Sequence, residues 1–428
     1  MSDPMPDLVF KNTRVIDPAS GRDGMGEILV RDGRIAEIAP RIDPPEGAEI
    51  IDGHGAVLCP GLVDMRVSLG EPGFEYRETI ASAALAASAG GITTLAVLPD
   101  SRPAIDDPAL VQFLRARGDA TGRLTILPYG AVTRGCRGEE LAELGLLREA
   151  GAVAFSDGAR AVHPARLMRL ALSYASGFSA CIVQHPEEPT LAEGGAATEG
   201  ELATRLGLPA IPACAEAIMV ARDIRLAELT GGMVHFSRLS TAEALALVRA
   251  AKARGIAVTC DTAPPYFALN ELTIGDFRSY AKLSPPLRAE SDRLAVAAAL
   301  ADGTIDAVVS DHQPRDADDK RLPFAQAAPG GAGLETLLAV TLAEYHGGRL
   351  SLLRVIELLT SAPARLLGVE AGRLAAGLAA DLCLFAPERA WRVTAGTLVS
   401  KAQNTPFDGS ALEGRVLGTW KAGRRVFG

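Results

Sequence analysis

The stretch AVLCPGLVDMRVS, residues 56–68, is a short apolar run that ends in two polar side chains, Arg66 and Ser68. Seven further runs of the same kind follow between residues 91 and 315. Polar residues end five of them: Asp100, Asp157, His185, Arg238 and Asp311. Short apolar runs bounded by Gly, Pro and polar residues are typical of buried strands. We therefore expect eight strands, most of which end in a polar side chain.

Stretches rich in Ala and Leu, such as RETIASAALAASAGG and TAEALALVRAAKARG, separate these runs and indicate helices, several of which end in Gly. Eight strands separated by helices predict a (β/α)₈ TIM barrel. The alternative is a doubly wound open sheet, but no GxGxxG motif follows a strand, and the repeat count favours closure. In a barrel the polar strand ends open onto one face, where such folds carry their active sites.

Both ends of the chain differ from this middle part. Residues 1–57 and 371–428 alternate Val, Ile and Leu with polar residues between turns, as in GEILVRDGRIAEIA and GRVLGTWKAGRRVFG. Such patterns are typical of antiparallel hairpins. We predict one small β-sandwich domain built from both termini, with the barrel spanning residues 58–370.

Composition and charge exclude several classes of partner. The net charge of −9 and the lack of a long basic run argue against nucleic acid and anionic membranes as partners. No apolar run is long enough to span a membrane. The six cysteines are scattered without a CxxC pair, which indicates buried thiols in a reducing cytoplasm. We expect a globular cytoplasmic protein.

Several motifs, in order along nearly the whole chain, resemble the cyclic amidohydrolases, and most specifically the dihydroorotases. They include PGLVDMRVSLGEPGFEYRETI, AEAIMVARDIRLAELTGGMVHFSRLSTAEAL, KLSPPLR, DGTIDAVVSDHQPR and GLETLLAVTLAEYH. This family hydrolyses or closes a ring amide with one or two divalent metals, usually zinc. The resemblance implies an amidohydrolase-type barrel with a β-sandwich domain.

The resemblance also identifies the slots of the family's metal cage. Asp157 matches the bridging carboxylate, His185 the fifth-strand ligand, and Asp311 the last ligand and general base. The remaining slots depart from the family. Arg66 and Ser68 stand where an HxH pair is expected, and Arg238 stands in the slot of the sixth-strand His. His235 and His312 do not occupy ligand positions.

The family's substrate contacts are replaced as well. The Arg of HxHxREPG is Gly70, the Asn of the PNT-type motif is Asp100, and the Asn two residues before the Lys of KLSPPLR is Tyr280. The DHAPH pattern reads DHQPR, with Gln313 and Arg315 in the altered positions.

Arginine cannot ligate zinc, since its guanidinium stays protonated and has no lone pair to offer. It can replace the charge of a metal. We hypothesise that Arg66 and Arg238 neutralise the two carboxylates Asp157 and Asp311 in bidentate pairs. Elsewhere in the chain, we expect an Arg222–Glu216 contact on a barrel-surface helix.

Two functions remain open. In the first, the chain is a catalytically inactive dihydroorotase homologue without a cofactor. Metal-less family members are known to assemble with aspartate transcarbamoylase in pyrimidine biosynthesis, so the resemblance implies that partner and an oligomer. In the second, the chain is an active amidohydrolase with one zinc held by Asp157, His185 and Asp311, and with Asp311 as base.

Overall fold

The computed structural model describes residues 6–428; residues 1–5, which the first predicted domain includes, lie outside the described residues. The strands are β1 Leu8–Asp17, β2 Arg22–Arg31, β3 Arg34–Ala39, β4 Glu49–Asp52, β5 Val57–Pro60, β6 Leu62–Val67, β7 Ile92–Val97, β8 Thr125–Pro128, β9 Gly130–Ala131, β10 Phe155–Ser156, β11 Cys181–Gln184, β12 Ala197–Thr198, β13 Ala210–Ile211, β14 Met233–Phe236, β15 Val258–Thr262, β16 Ala307–Val308, β17 Leu382–Arg392, β18 Ala411–Lys421 and β19 Arg424–Phe427.

The α-helices are α1 Ile80–Ala89, α2 Pro108–Thr121, α3 Leu144–Glu149, α4 Ala165–Ser176, α5 Pro189–Ala192, α6 Glu201–Leu206, α7 Cys214–Thr230, α8 Ala242–Ala253, α9 Pro264–Ala268, α10 Glu290–Ala301, α11 Ala317–Arg321, α12 Leu337–His346, α13 Leu352–Leu359 and α14 Ser361–Leu367. Short 3₁₀ segments lie at Arg134–Cys136, Glu271–Ile274, Ser279–Ala281 and Ala395–Thr397.

The predicted barrel is present. Parallel strands pair in the order β6-β7-β8 and β9-β10-β11-β14-β15-β16. β8 and β9 form one strand interrupted at Tyr129, whose N–H bonds to Val97 O, while the next N–H, of Gly130, bonds to Ala154 O. The last strand meets the first through a bridge between Val67 and His312. Eight strands thus close into a ring.

The two termini form a single β-rich domain. Its eight strands pair in the order β19-β18-β17-β5-β1-β2-β3, with β4 beside β1. Three strand spacings, about 14 Å, separate β1 from β18 in a flat sheet. The rings of Phe10 in β1 and Trp420 in β18 nevertheless lie 4.8 Å apart, edge to face. The sheet therefore curls over its own apolar core, as in a sandwich.

One predicted boundary needs correction. β5 pairs with β1 and β17 in the terminal sheet, so residues 57–60 belong to the β-domain, and the expected border between residues 57 and 58 falls inside this strand. Only Gly61 separates β5 from the first barrel strand, β6. The run at residues 56–68 therefore contains one strand of the terminal sheet, β5, and one strand of the barrel, β6. No helix among residues 6–428 is long and apolar enough to cross a membrane.

Candidate functional site

The polar strand ends predicted from the sequence meet at one end of the barrel. Arg66 lies within β6, Asp157 and His185 directly follow β10 and β11, and Arg238 and Asp311 lie just beyond β14 and β16. All five are buried. Parallel strands of a closed barrel end on the same face, which explains the convergence.

Asp311 lies between the two arginines. Its Oδ1 accepts hydrogen bonds from Arg66 Nε at 3.0 Å and from Gln313 Nε2 at 2.9 Å, and its Oδ2 accepts from Arg238 Nη1 at 3.3 Å. Arg66 and Arg238 are 1% and 0% exposed, so these ion pairs are shielded from water. Asp311 and Arg238 both have left-handed backbone conformations, with φ of 48° and 63°. Such residues are strained unless the surrounding structure holds them.

The guanidinium of Arg66 is fixed from several strands. Its Nη1 donates to Ser237 Oγ and its Nη2 to the carbonyl of Gly158, both at 3.3 Å. Ser237 donates in turn to Asp261, which also contacts His235 Nε2 at 2.9 Å. Burial lowers the pKa of Arg66, and the charge of Arg238 adds to this effect. Arginine stays charged even so.

Asp157 has a different partner from the one predicted. Thr133 donates to it twice, from its backbone N at 2.9 Å and from Oγ1 at 2.5 Å. No arginine nitrogen lies within 4.0 Å of Asp157 in the described part of the chain. The prediction that each arginine would neutralise one carboxylate is therefore wrong, because both guanidinium groups reach Asp311. Burial raises the pKa of Asp157 to about 6.

His185 lies in a pocket of opposing charges. Its Nε2 is 3.6 Å from Glu187 Oε2, and its buried Nδ1 has no hydrogen-bond partner within residues 6–428. Burial, together with the nearby charge of Arg238, lowers the pKa of His185 to about 4. The imidazole is therefore neutral at pH 7.

The three surviving metal slots do not form a metal centre in this arrangement. Among residues 6–428, only His346, Glu388 and Glu413, on the outside of the molecule, place three such ligand atoms within 4.8 Å of one another. Asp157, His185 and Asp311 do not. The oxygens of Asp311 already accept from three donors, and those of Asp157 from Thr133. As arranged, the residues do not fit the zinc cage that the family pattern implies.

The former substrate slots are also reshaped. A Cβ on Gly70 would lie 2.2 Å from Glu78 O and 2.3 Å from Phe74 O, so this backbone leaves no room for any side chain there. Asp100 accepts a hydrogen bond from the backbone N of Ala159 at 3.3 Å.

Two further altered positions are Tyr280, a substrate slot, and Ser68, a slot of the metal-binding HxH pair. Tyr280 lies half-buried in the 3₁₀ segment Ser279–Ala281. Ser68 lines a small cavity beside Asp100, and its backbone N bonds to the carbonyl of His312.

Sequence reasoning missed several residues of this site. Thr133 ends the third apolar run, so the rule that singled out the other strand ends could have found it. Glu187 lies two residues after His185 and carried no separate signal. Glu78 is fully buried, with its Oε2 3.4 Å from Nε2 of His312. The structure places His312, to which the family pattern assigns no ligand role, in this buried pair.

The predicted Arg222–Glu216 contact is wrong. Arg222 pairs with Asp223, its neighbour in α7, at 2.7 Å. Glu216 accepts hydrogen bonds from Ser240 and Thr241 instead. Residues six apart on an α-helix lie on different sides of it, since each residue turns the helix by about 100°. The two side chains therefore face different neighbours.

Comparison with known proteins agrees with this architecture. A family model described as dihydro-orotase-like matches residues 55–244. A dihydroorotase of Pelobacter propionicus is 44% identical over 420 residues, covering 98% of this chain and 99% of its own length. One of Anaeromyxobacter dehalogenans is 44% identical over 425 residues, covering 99% and 98%.

Among solved structures, the L-hydantoinase (dihydropyrimidinase) of Arthrobacter aurescens superposes with a TM-score of 0.88 at 25% identity, covering 99% of this chain and 96% of that one. A D-hydantoinase from a Thermus species gives a TM-score of 0.83, also at 25% identity, covering 98% and 94%. Hydantoinases are amidohydrolase barrels with a β-rich terminal domain, the architecture described above. With relatives this similar over its full length, the chain belongs to the dihydroorotase family of amidohydrolases.

Proposed function

We propose that this protein is a non-hydrolytic member of the dihydroorotase family that acts by association with aspartate transcarbamoylase. The observation that carries the proposal is the position of Asp311 between Arg66 and Arg238. In the family pattern this residue is both a metal ligand and the general base. Here three protein donors occupy most of the roughly four acceptor positions of a carboxylate.

The charge balance supports the same proposal. A two-metal centre carries four positive charges, and its loss would leave buried carboxylates without partners. Buried charges are costly unless they are paired and hydrogen-bonded. Arg66 and Arg238 supply two positive charges beside Asp311, and the hydroxyl and backbone N–H of Thr133 serve Asp157. The carboxylates of Asp157 and Asp311 are thus both hydrogen-bonded by groups of the protein.

The partner follows from the family resemblance. Family members without the metal motif associate with aspartate transcarbamoylase, and a barrel that keeps its fold while losing its catalytic groups suits such a role. We expect no bound cofactor, and an oligomer in which this chain supports the transcarbamoylase. The cytoplasm, where pyrimidine synthesis takes place, is the expected location.

Co-purification with aspartate transcarbamoylase from the same organism tests the association. We expect the two proteins to elute together on size exclusion, and the Asp311→Asn variant to form the same complex, since association does not require a catalytic base. In parallel, zinc-incubated protein is assayed for ring opening of dihydroorotate and for the reverse closure. Separate elution of the two proteins, or turnover that Asp311→Asn abolishes, would contradict the proposal.

An active enzyme is the second candidate, favoured by the 44% full-length identity to proteins named dihydroorotase. In it, Asp157, His185 and Asp311 would hold one zinc, which lowers the pKa of bound water towards neutrality. Both arginines would have to leave Asp311 first. This candidate predicts stoichiometric zinc and hydrolysis of a ring amide.

A further inference from the structure

A cavity of about 200 Å³ lies between the barrel and the β-domain, outside the site described above. One wall comes from the barrel helices, with Ala89 at the end of α1 and Leu338 and Ala339 in α12. The opposite wall comes from the terminal sheet, and residues 397–399 close a third side. The metal and substrate slots of the family pattern, all of which the structure describes, do not line this cavity.

The wall from the terminal sheet carries two aromatic rings, those of Trp391 in β17 and Phe427 in β19. Both side chains are half-buried. The indole is held in place, because its Nε1 donates to the carbonyl of Gly414 at 3.1 Å. Aromatic side chains thus line one wall of the cavity and the aliphatic side chains of Leu338 and Ala339 the other, which favours a ligand with an apolar ring.

Two arginines of the same sheet line the cavity, Arg392 at the end of β17 and Arg415 in β18. The guanidinium carbon of Arg415 lies 4.9 Å from the ring centroid of Trp391, a cation–π contact that fixes its position. Among residues 6–428, no carboxylate oxygen lies within 4.0 Å of a nitrogen of either arginine. Both guanidinium groups are therefore available to an anion in the cavity.

Glu335, whose carboxylate also lines the cavity, holds the third wall in place. Its Oε2 accepts a hydrogen bond from the backbone N of Val399 and its Oε1 from that of Ser400, both at 3.0 Å. The cavity is therefore formed before a ligand enters, as small-molecule sites usually are. Two arginines and one carboxylate leave a single positive charge for the ligand to balance.

The volume of the cavity sets the size of the ligand. A cavity of about 150 Å³ holds benzene, so this one accommodates a single ring with a small head group. We propose that the cavity binds an aromatic monocarboxylate, with its ring between α12 and the terminal sheet and its carboxylate on Arg415. A guanidinium can donate two parallel hydrogen bonds to a carboxylate, which suits this head group.

Isothermal titration calorimetry on the purified full chain tests the site, with sodium benzoate as the probe and the ionic strength held constant with sodium chloride. We expect saturable binding with a Kd of about 1 mM, since a ligand this small gains little more. Benzamide keeps the ring but lacks the charge, and sodium acetate keeps the carboxylate but lacks the ring. Each of these two should bind at least about tenfold more weakly than benzoate.

Two variants locate the binding. Arg415→Gln should weaken benzoate binding about tenfold, because it removes the charged partner of the carboxylate. Ala89→Leu fills part of the cavity and should weaken binding by at least as much. Arg389→Gln, at an exposed position of β17 outside the cavity, is the matched control and should bind as wild type does.

Tryptophan fluorescence gives an independent readout, since Trp391 lines the cavity and Trp420 lies in the core of the β-domain. Benzoate should change the emission of wild type but not that of Trp391→Phe, and this comparison decides if the other variants do not fold. The proposal is overturned if benzoate does not bind saturably, if benzamide binds as tightly, or if folded Arg415→Gln or Ala89→Leu binds as wild type does. Neither dihydroorotate nor aspartate transcarbamoylase takes part in the titration, so its outcome is separate from that of the proposed function.

Discussion

At the residue scale, Asp311, the last metal slot of the family pattern, forms ion pairs with two buried arginines. The guanidinium groups approach its two oxygens from different strands, β6 and the end of β14. Removing one partner of a buried pair leaves an uncompensated charge, which costs more than the pair itself contributes. The pairs can therefore be tested by their removal.

Arg66→Met should lower the free energy of unfolding by about 3 kcal/mol, since it leaves Asp311 with one cation fewer in a buried site. Urea denaturation measures the change. The double variant Arg66→Met/Asp311→Asn should recover a large part of the loss. Arg254→Met, which breaks the exposed Arg254–Glu228 pair, should cost less than about 1 kcal/mol. A double variant no more stable than Arg66→Met alone would contradict this account of Asp311.

The pKa of His185 makes stability depend on pH. In the folded chain it is lowered to about 4 from an ordinary value of 6.5. Between these values the unfolded chain binds a proton that the folded chain does not, so the contribution of His185 to stability falls as the pH falls from 6.5 to 4. The loss amounts to about 3 kcal/mol for this group. His185→Gln should lack that loss in denaturation curves recorded across the window.

Asp157 acts with the opposite sign. Its pKa is raised to about 6 in the folded chain from 3.8, so the folded state takes up a proton first as the pH falls. The contribution of Asp157 to stability therefore increases between pH 6 and pH 4. Asp157→Asn should lose stability more steeply than wild type over that range. Parallel pH profiles of both variants and wild type would contradict the assigned environments.

At the element scale, the loop after β6 packs its backbone against Gly70, the slot of the family's substrate-binding Arg. Gly70→Ala should lower the free energy of unfolding by about 2 kcal/mol or more, because its Cβ would meet the backbone oxygens of Phe74 and Glu78. Thermal unfolding measures the effect. Gly396→Ala, where a Cβ meets nothing within 4 Å, is the matched control and should change little. Equal stability of the two variants would show that the loop is open.

The strand pattern of the sequence predicts the barrel strands and the face at which they end. Short apolar runs ending in polar residues identified the eight barrel strands and the face on which Arg66, Asp157 and Asp311 meet. The partners of these side chains could not be read in the same way. They depend on left-handed backbone at Arg238 and Asp311 and on Thr133 reaching across from the neighbouring strand. The hydrophobic pattern predicts the face on which a side chain lies. It does not predict which of several charged residues on that face becomes its partner.

At the scale of the whole molecule, the first and last segments of the chain depend on each other. Phe10 near the N-terminus packs against Trp420 near the C-terminus, and β5 lies between β1 and β17. Both chain ends alternate apolar and polar residues between turns, and this shared pattern predicts one domain built from both. It could not show that β5 belongs to that domain, because the run at residues 56–68 is continuous in the sequence and only Gly61 divides it.

Trp420→Ala should cost about 4 kcal/mol, since the indole is almost fully buried between the two terminal segments. Limited proteolysis should then cleave both ends of the chain sooner than in wild type. Met25→Ala, at a side chain that is 66% exposed in the same sheet, should stay within about 0.5 kcal/mol of wild type. Faster cleavage at only one end would argue against a shared core.

The measurement that most directly tests the central claim, that arginines have replaced the metals at the barrel mouth, is zinc content. Purified protein is incubated with zinc, desalted and analysed by inductively coupled plasma mass spectrometry beside Asp157→Ala. We predict no stoichiometric zinc in either protein, because Asp311 is paired with Arg66 and Arg238 and the ligand set is not assembled. One equivalent per chain in wild type, lost in Asp157→Ala, would contradict the account and favour the active enzyme.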